Sequence, residues 1–224
     1  MRPLVIAIDG PSGAGKGTVA RAVAAHLGYR HVDSGAMYRA VGWKALRDGV
    51  PLDQESAVTR VAAGSSITVT TETVSIDGID VTRAIRTPEI DRAAASVARL
   101  PGVRAVLVAR QRAMGQGGGI VMEGRDIGTV VFPSADVKVY LDASPDERAR
   151  RRATDPAHSG GPAKVGDVAT LLTERDRLDR TRAASPLYAA ADAVIIDTTG
   201  KPIDDVVRDV LEIVANRTGT SLVP

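Results

Sequence analysis

Residues 10–20 read Gly-Pro-Ser-Gly-Ala-Gly-Lys-Gly-Thr-Val-Ala, which is the order expected of an anion cradle. Small residues let backbone N–H groups turn inward around phosphate oxygens, and a lysine adds a point charge. Gly10, Pro11, Ser12, Gly13, Ala14, Gly15 and Lys16 keep the G-x-x-x-x-G-K spacing of a phosphate-binding loop. In that pattern the next residue is a serine or threonine whose hydroxyl ligates magnesium. Here Gly17 takes that place and Thr18 comes one step late. No direct metal ligand is therefore expected, Thr18 being the one candidate in the loop. Mg²⁺ would be held by nucleotide phosphates and water, which suits an ion that dehydrates reluctantly.

A second set of residues fits the same chemistry. Phosphoryl transfer crowds negative charge, so it calls for cations arriving from several elements and for exclusion of water. Arg39, Arg104, Arg125, Arg148 to Arg152, Arg175 and Arg182 are spread along the chain in that manner. Arginine suits the task because its planar fork grips two phosphate oxygens and keeps its charge. Arg175, Asp179 and Arg182 are spaced four and three apart, which puts them on one helix face. There Asp179 can accept hydrogen bonds from ribose hydroxyls while the arginines face phosphates. The same run, Glu-Arg-Asp-Arg-Leu-Asp-Arg-Thr-Arg, also fits a solvated charged helix. No general base is needed if the attacking atom is an oxygen of an ionised phosphate. His26, His31 and His158 show neither metal-ligand spacing nor a carboxylate partner in sequence and are expected to be structural or exposed. Trp43 and Phe132 are expected in the core, and Tyr38 fits packing as well as function.

These residues need elements to position them. Residues 4–9 form a short apolar run before Gly10, as in a buried parallel strand. Residues 16–27 carry Val19, Ala20, Val23, Ala24 and Leu27 at helical spacing, with Gly28 at the C-cap. A strand is expected at 30–35 and a helix at 36–49. Residues 66–82 alternate, are rich in β-branched residues and contain Asp77-Gly78, a hairpin signal. Helices are expected at 103–114, 145–153, 167–182 and 204–217, and strands at 120–123, 137–143 and 193–197. Residues 155–166 form a Gly/Pro loop expected to be mobile, and the tail 216–224 lacks periodicity. The sum is about five parallel strands with crossover helices, a doubly wound α/β fold. Ligands of such folds collect at the carboxyl ends of the strands, where the loop, Asp33-Ser34 and Gly124-Arg125-Asp126 all fall.

Composition sets the frame. The 224 residues are long enough to bury a core, and 44% hydrophobic with 25% charged reads as globular. Aromatics at 3% and a net charge of +2 speak against a nucleic-acid surface, including one on the basic helix 145–153. There is no cysteine, hence no disulfide framework and no thiolate metal site. No apolar stretch approaches a membrane span or a signal sequence, so a cytoplasmic location is the default expectation.

Residues 8–18, 33–39, 87–104, 123–133 and 174–187 together resemble the bacterial cytidylate kinases, nearly end to end and in order. The Gly-Lys-Gly-Thr loop alone is moderately specific; its conjunction with Gly-Arg-Asp-Ile-Gly-Thr (124–129) and the Arg/Asp run is much more so. The resemblance implies a P-loop core at 1–59 and 101–224, a lid at about 148–168 and an inserted nucleotide-monophosphate-binding subdomain at about 60–100. It implies transfer of the γ-phosphoryl group of ATP, with Mg²⁺, to CMP or dCMP. Gly10 to Thr18 would bind ATP. Ser34, Arg39, Arg125 and Arg182 would surround the acceptor phosphate, Arg104 and Asp126 would read cytosine, and Asp179 and Arg175 would hold the ribose. Arg151 and Arg152 would belong to the lid and act in catalysis beside Lys16, Arg125 and Arg182. A monomer is expected, with no nucleic-acid or membrane partner. One departure stands out: the family serine facing the base is expected at Ala95, whereas the serine here is Ser96. Two alternatives remain. A UMP, AMP or shikimate kinase of the same fold is opposed by the Gly-Arg-Asp motif and the long central insertion. A regulatory P-loop switch is opposed by Gly17 and by the lack of an Asn-Lys-x-Asp tetrad.

Overall fold

The computed structural model describes residues 2–155, 165–182 and 184–219. His158, most of the expected Gly/Pro loop (156–164) and the last five residues of the tail lie outside the described residues.

Five strands make one parallel sheet: β1 (Val5–Asp9), β2 (Arg30–Asp33), β6 (Ile120–Gly124), β7 (Val137–Asp142) and β8 (Val194–Asp197), in the order β2-β6-β1-β7-β8. Ile6, Ala7 and Ile8 of β1 are fully buried, as a central strand covered on both faces must be. On one face Ile6, Ile8 and Val139 pack with α1 (Lys16–Leu27) and α8 (Ile203–Thr218). On the other, Ala7, Val32 and Met122 pack with Val108 of α5 (Pro101–Met114) and with a short π-helical turn, Ile127–Val131. The doubly wound α/β expectation therefore holds, with all five sheet strands parallel. Among the described residues no helix is long and apolar enough to cross a membrane.

Between β2 and α5 the chain forms α2 (Ser34–Arg47), α3 (Glu55–Gly64), a small antiparallel sheet and α4 (Pro88–Val97). The expected hairpin is a three-stranded sheet, β3 (Ile67–Val69), β4 (Val74–Ile76) and β5 (Ile79–Asp80). Asp77 and Gly78 both have positive φ and close the β4–β5 turn, the backbone demanded by a two-residue hairpin of that type. The second helix starts two residues before the expected 36, because the Asp33 carboxylate accepts the Ala36 N–H and caps it. The fifth helix starts at Pro101, where proline suits a first turn. The last helix runs to Thr218, so part of the tail expected to be irregular is helical.

The α2–α4 contact positions part of the site. Buried Gly42 on α2 faces α4 so closely that a Cβ there would lie 3.1 Å from the Ala93 side chain and 3.3 Å from its backbone. Small residues on both helices let the two backbones approach, and Arg39 and Asp91 stand three and two residues earlier on their helices. Gly42→Val should overpack this contact by about 2 kcal/mol and lower the melting midpoint by about 4–8 °C. Calorimetry checks this, and an unchanged midpoint would mean the helices are free to separate.

Candidate functional site

The phosphate-binding loop leads into α1 without a side-chain cap. Gly15 is the N-cap, its φ of 87° lies in the left-handed region, and no acidic residue follows in the first turn. The first N–H groups of α1 are thus left for an anion at the positive end of the helix dipole. Lys16 is buried and donates to the Pro11 carbonyl at 2.7 Å. Burial, and then the nearby Arg125, lower its pKa to about 7, against the opposing pull of Glu123 and Asp9. At the end of β1, Asp9 accepts the Ile127 and Gly128 N–H groups at 2.8 and 2.7 Å, which ties the loop's strand to the π-helical turn. Burial pushes Asp9 up to about 6 even so.

Gly17 lies against Glu123. A Cβ at this position would lie 3.0 Å from Glu123 Oε1, so the carboxylate stands next to the backbone where other loops project a hydroxyl. Glu123, next to last in β6, meets His31 Nε2 at 3.2 Å. This corrects the expectation that His31 has no carboxylate partner: the two lie 92 residues apart and meet across adjacent parallel strands. His26 is exposed, whereas Trp43 and Phe132 are partly buried against apolar clusters.

Beside the loop, cations from several helices share a few carboxylates. Arg39 Nη1 lies 3.3 Å from Asp33 and its Nε 3.2 Å from Asp91, while Arg86 reaches Asp33 at 3.5 Å. Arg152, on α6 (Pro145–Ala153), donates to Asp91, and Arg175, on α7 (Val165–Thr181), approaches Asp91 at 3.3 Å. Burial raises the pKa of Asp33, but Arg39, Arg86 and the Ala36 N–H outweigh it and hold the carboxyl at about 2. Burial and two neighbouring guanidiniums, Arg39 and Arg175, lower Arg152 to about 10 despite Asp91. Arg125 donates to Asp179 at 3.1 Å and lies near enough to Lys16 and Arg175 to lower both.

A third group lies deeper. Arg104 donates to Asp126, whose other oxygen is 3.6 Å from Arg182. Arg182 donates to the Ser185 carbonyl at 2.5 Å, and Arg104 Nε donates to the Ser185 hydroxyl at 3.3 Å. The Arg104 guanidinium stacks over the Tyr38 ring at 5.6 Å, so Tyr38 packs and also faces the site. Burial pushes its hydroxyl up to about 12. Ser34 is buried at the start of α2 and donates to the Glu123 carbonyl at 2.6 Å.

The expected residues thus fall into three connected groups, with two exceptions. Arg151 points away from Asp91: it donates to Thr198, whose hydroxyl donates to the Ala14 carbonyl of the loop. Ser96 is exposed and donates to the Arg92 carbonyl, whereas Ala95 is on the buried side of α4, so no hydroxyl replaces the expected serine. Asp33, Arg86, Asp91 and Glu123 were missed as site residues. Asp33 had a signal, since it was read as a strand end, but the others become visible only when distant helices and strands meet.

Among solved structures, a gluconokinase from Sinorhizobium meliloti 1021 matches with a TM-score of 0.52 at 16% identity, covering 96% of this chain and 93% of its own. A shikimate kinase from Bacteroides thetaiotaomicron matches with a TM-score of 0.51 at 14% identity, covering 94% and 98%. At such identities the likeness is one of fold. Sequence relatives are closer. The cytidylate kinase of Pelotomaculum thermopropionicum is 52% identical over 208 residues, covering 91% of this chain and 92% of its own. That of Solibacter usitatus is 48% identical over 216 residues, covering 96% and 93%. The family model described as cytidylate kinase matches residues 6–216. The chain belongs to the cytidylate kinase family.

Proposed function

We propose that the protein transfers the γ-phosphoryl group of ATP to CMP, and to dCMP, yielding ADP and the nucleoside diphosphate. The observation that carries this reading is the shared crevice in which Lys16 and the uncapped α1 N-terminus stand beside Arg39, Arg125 and Arg175. An oxygen of the acceptor phosphate attacks the γ-phosphorus, the bond to the bridging oxygen breaks, and ADP leaves with that electron pair. The chain's task is to neutralise charge and align the two phosphates.

Gly10 to Thr18 would cradle the ATP phosphates, with Lys16 at the β and γ oxygens and Arg151 beside the loop. Arg39, Arg125 and Arg182, with Ser34, would hold the acceptor phosphate, and Arg152 would reach the transferring group from the lid. Asp179 would hold the ribose, and Arg175, between Asp179 and Asp91, would span from the ribose to the neighbouring phosphates. Cytosine offers an amino donor beside ring acceptors. Asp126 can accept from that amino group while Arg104 donates to the acceptors; uracil would put a carbonyl oxygen against Asp126 instead. Mg²⁺ fits these residues as an ion carried on the ATP phosphates. Glu123, against Gly17, would orient its hydration water, and Thr18 starts the same helix. The ion would offset charge on the phosphates. Residues 60–100 and the lid at about 148–168 would close over the two nucleotides.

With ATP and Mg²⁺, ADP release should be strong for CMP and dCMP, weak for UMP, and absent for AMP, GMP and shikimate; turnover won by AMP or shikimate would overturn the reading. Asp126→Ala should raise the KM for CMP by about 10–100-fold and leave that for ATP nearly unchanged. An intact CMP affinity would remove Asp126 from the base site. Lys16 loses its proton as pH rises through about 7, and ATP phosphates favour its charged form. Binding of ATP at pH 8 should therefore take up close to one proton, but little at pH 6. Calorimetry in buffers of different ionisation enthalpy reads this uptake. Lys16→Ala should abolish both the uptake and the transfer, and buffer-independent heats at pH 8 would contradict the assignment.

A further inference from the structure

Asp91 is the one acidic side chain that Arg39, Arg152 and Arg175 share, and they come from α2, α6 and α7. It sits at the end of the first turn of α4, whose start is fixed by Pro88 at the first helical positions and by the Thr87 hydroxyl, which accepts the Ile90 N–H at 3.2 Å. The close Gly42–Ala93 contact keeps that helix against α2. The carboxylate therefore stands on a rigid support.

Charge and geometry both show that one carboxylate does not satisfy the group. Counting Asp33, which Arg39 shares with Arg86, four guanidiniums meet two carboxylates, so positive charge is left over that a phosphoryl group can neutralise. Asp91 engages only part of each fork: Nε of Arg39, an Nη of Arg152 and Nη1 of Arg175. Nε of Arg175 is buried with no hydrogen-bond partner, a donor left over inside the cluster. An unpaired buried donor is costly, and its retention points to an anion that takes it.

We propose that Asp91 is a positioning residue for phosphoryl transfer: it anchors Arg39, Arg152 and Arg175 by one end so that their remaining donors converge on the transferring phosphate. The same carboxylate ties α4, on the acceptor side, to the lid helix α6, so closure and arginine alignment are one event. The role rests on the proposed phosphoryl transfer. Asp91 itself touches no substrate, because a carboxylate facing phosphate would repel it.

The test uses the full chain and whichever acceptor the wild-type protein turns over best, so failure with CMP alone counts against the proposed substrate and not against Asp91. Asp91→Asn keeps the shape and removes the anchoring charge. kcat should fall by about tenfold to a hundredfold, the cost of slightly misplaced groups. The KM for ATP and the binding of inorganic tripolyphosphate should be unchanged or tighter, since a negative charge has left the site. A merely structural role would instead lower the melting midpoint and weaken binding along with kcat, and that result, or a wild-type kcat in a folded variant, overturns the proposal. Should Asp91→Asn not fold, Asp91→Glu decides: it keeps the charge but moves the carboxylate by one methylene. A lowered kcat with normal ATP binding supports positioning, and an unchanged kcat overturns it.

Discussion

Like charges held in one crevice are the constraint from which the rest of this structure follows. Burial and neighbouring cations lower the pKa of three of them: Arg125 and Arg175 act on Lys16, Arg39 and Arg175 on Arg152, and Arg125 and Arg39 on Arg175. Repulsion between such groups grows as water is removed. The fold answers by sharing carboxylates: Asp33 between Arg39 and Arg86, Asp91 among three arginines, Asp126 between Arg104 and Arg182, Asp179 between Arg125 and Arg182. Each carboxylate serves more than one cation, so the group stays positive overall yet is held in place. A fully neutralised cluster would be more stable and would attract no phosphate.

The parallel sheet explains why these groups meet where they do. The segments that leave the carboxyl ends of β1, β2 and β6 open on the same edge and begin with Gly10, Ser34 and Arg125. Asp9 illustrates the cost. It is buried enough to be pushed up to about 6, and it is kept in place by two backbone N–H groups from the π-helical turn. That turn carries the chain away from Arg125 and Asp126, so a buried carboxylate on the central strand indirectly sets the direction of these two residues.

The loop departs from the common pattern for a local reason. Glu123 approaches the backbone at Gly17, and a side chain at that position would have to displace a carboxylate that His31 steadies from the neighbouring strand. The loop thus carries a glycine where the common pattern has a hydroxyl, and a carboxylate from β6 stands beside it. Arg151 and Arg152 show a similar division of labour. Consecutive residues on a helix point about 100° apart, and so one is tied to Thr198 beside the loop and the other to Asp91 across the crevice.

Much of this was legible in the sequence. Apolar runs of strand length, helical spacing with Gly28 as a stop, and Asp77-Gly78 determined the elements, because backbone preference and burial period are local properties. The loop spacing and the arginine-rich segments determined the chemistry, because residue type fixes charge and donor geometry. Which partner each charge takes was not local. Asp91 reads as an ordinary acid of the inserted segment, Glu123 as a strand end, and His31 as a solitary histidine. Their roles depend on helices and strands separated by 52 to 92 residues coming within hydrogen-bond distance. The sequence by itself determined the elements, the loop and the supply of cations. Only the tertiary structure decided which carboxylate restrains which arginine, because pairwise electrostatics acts on distance in space and not on distance along the chain.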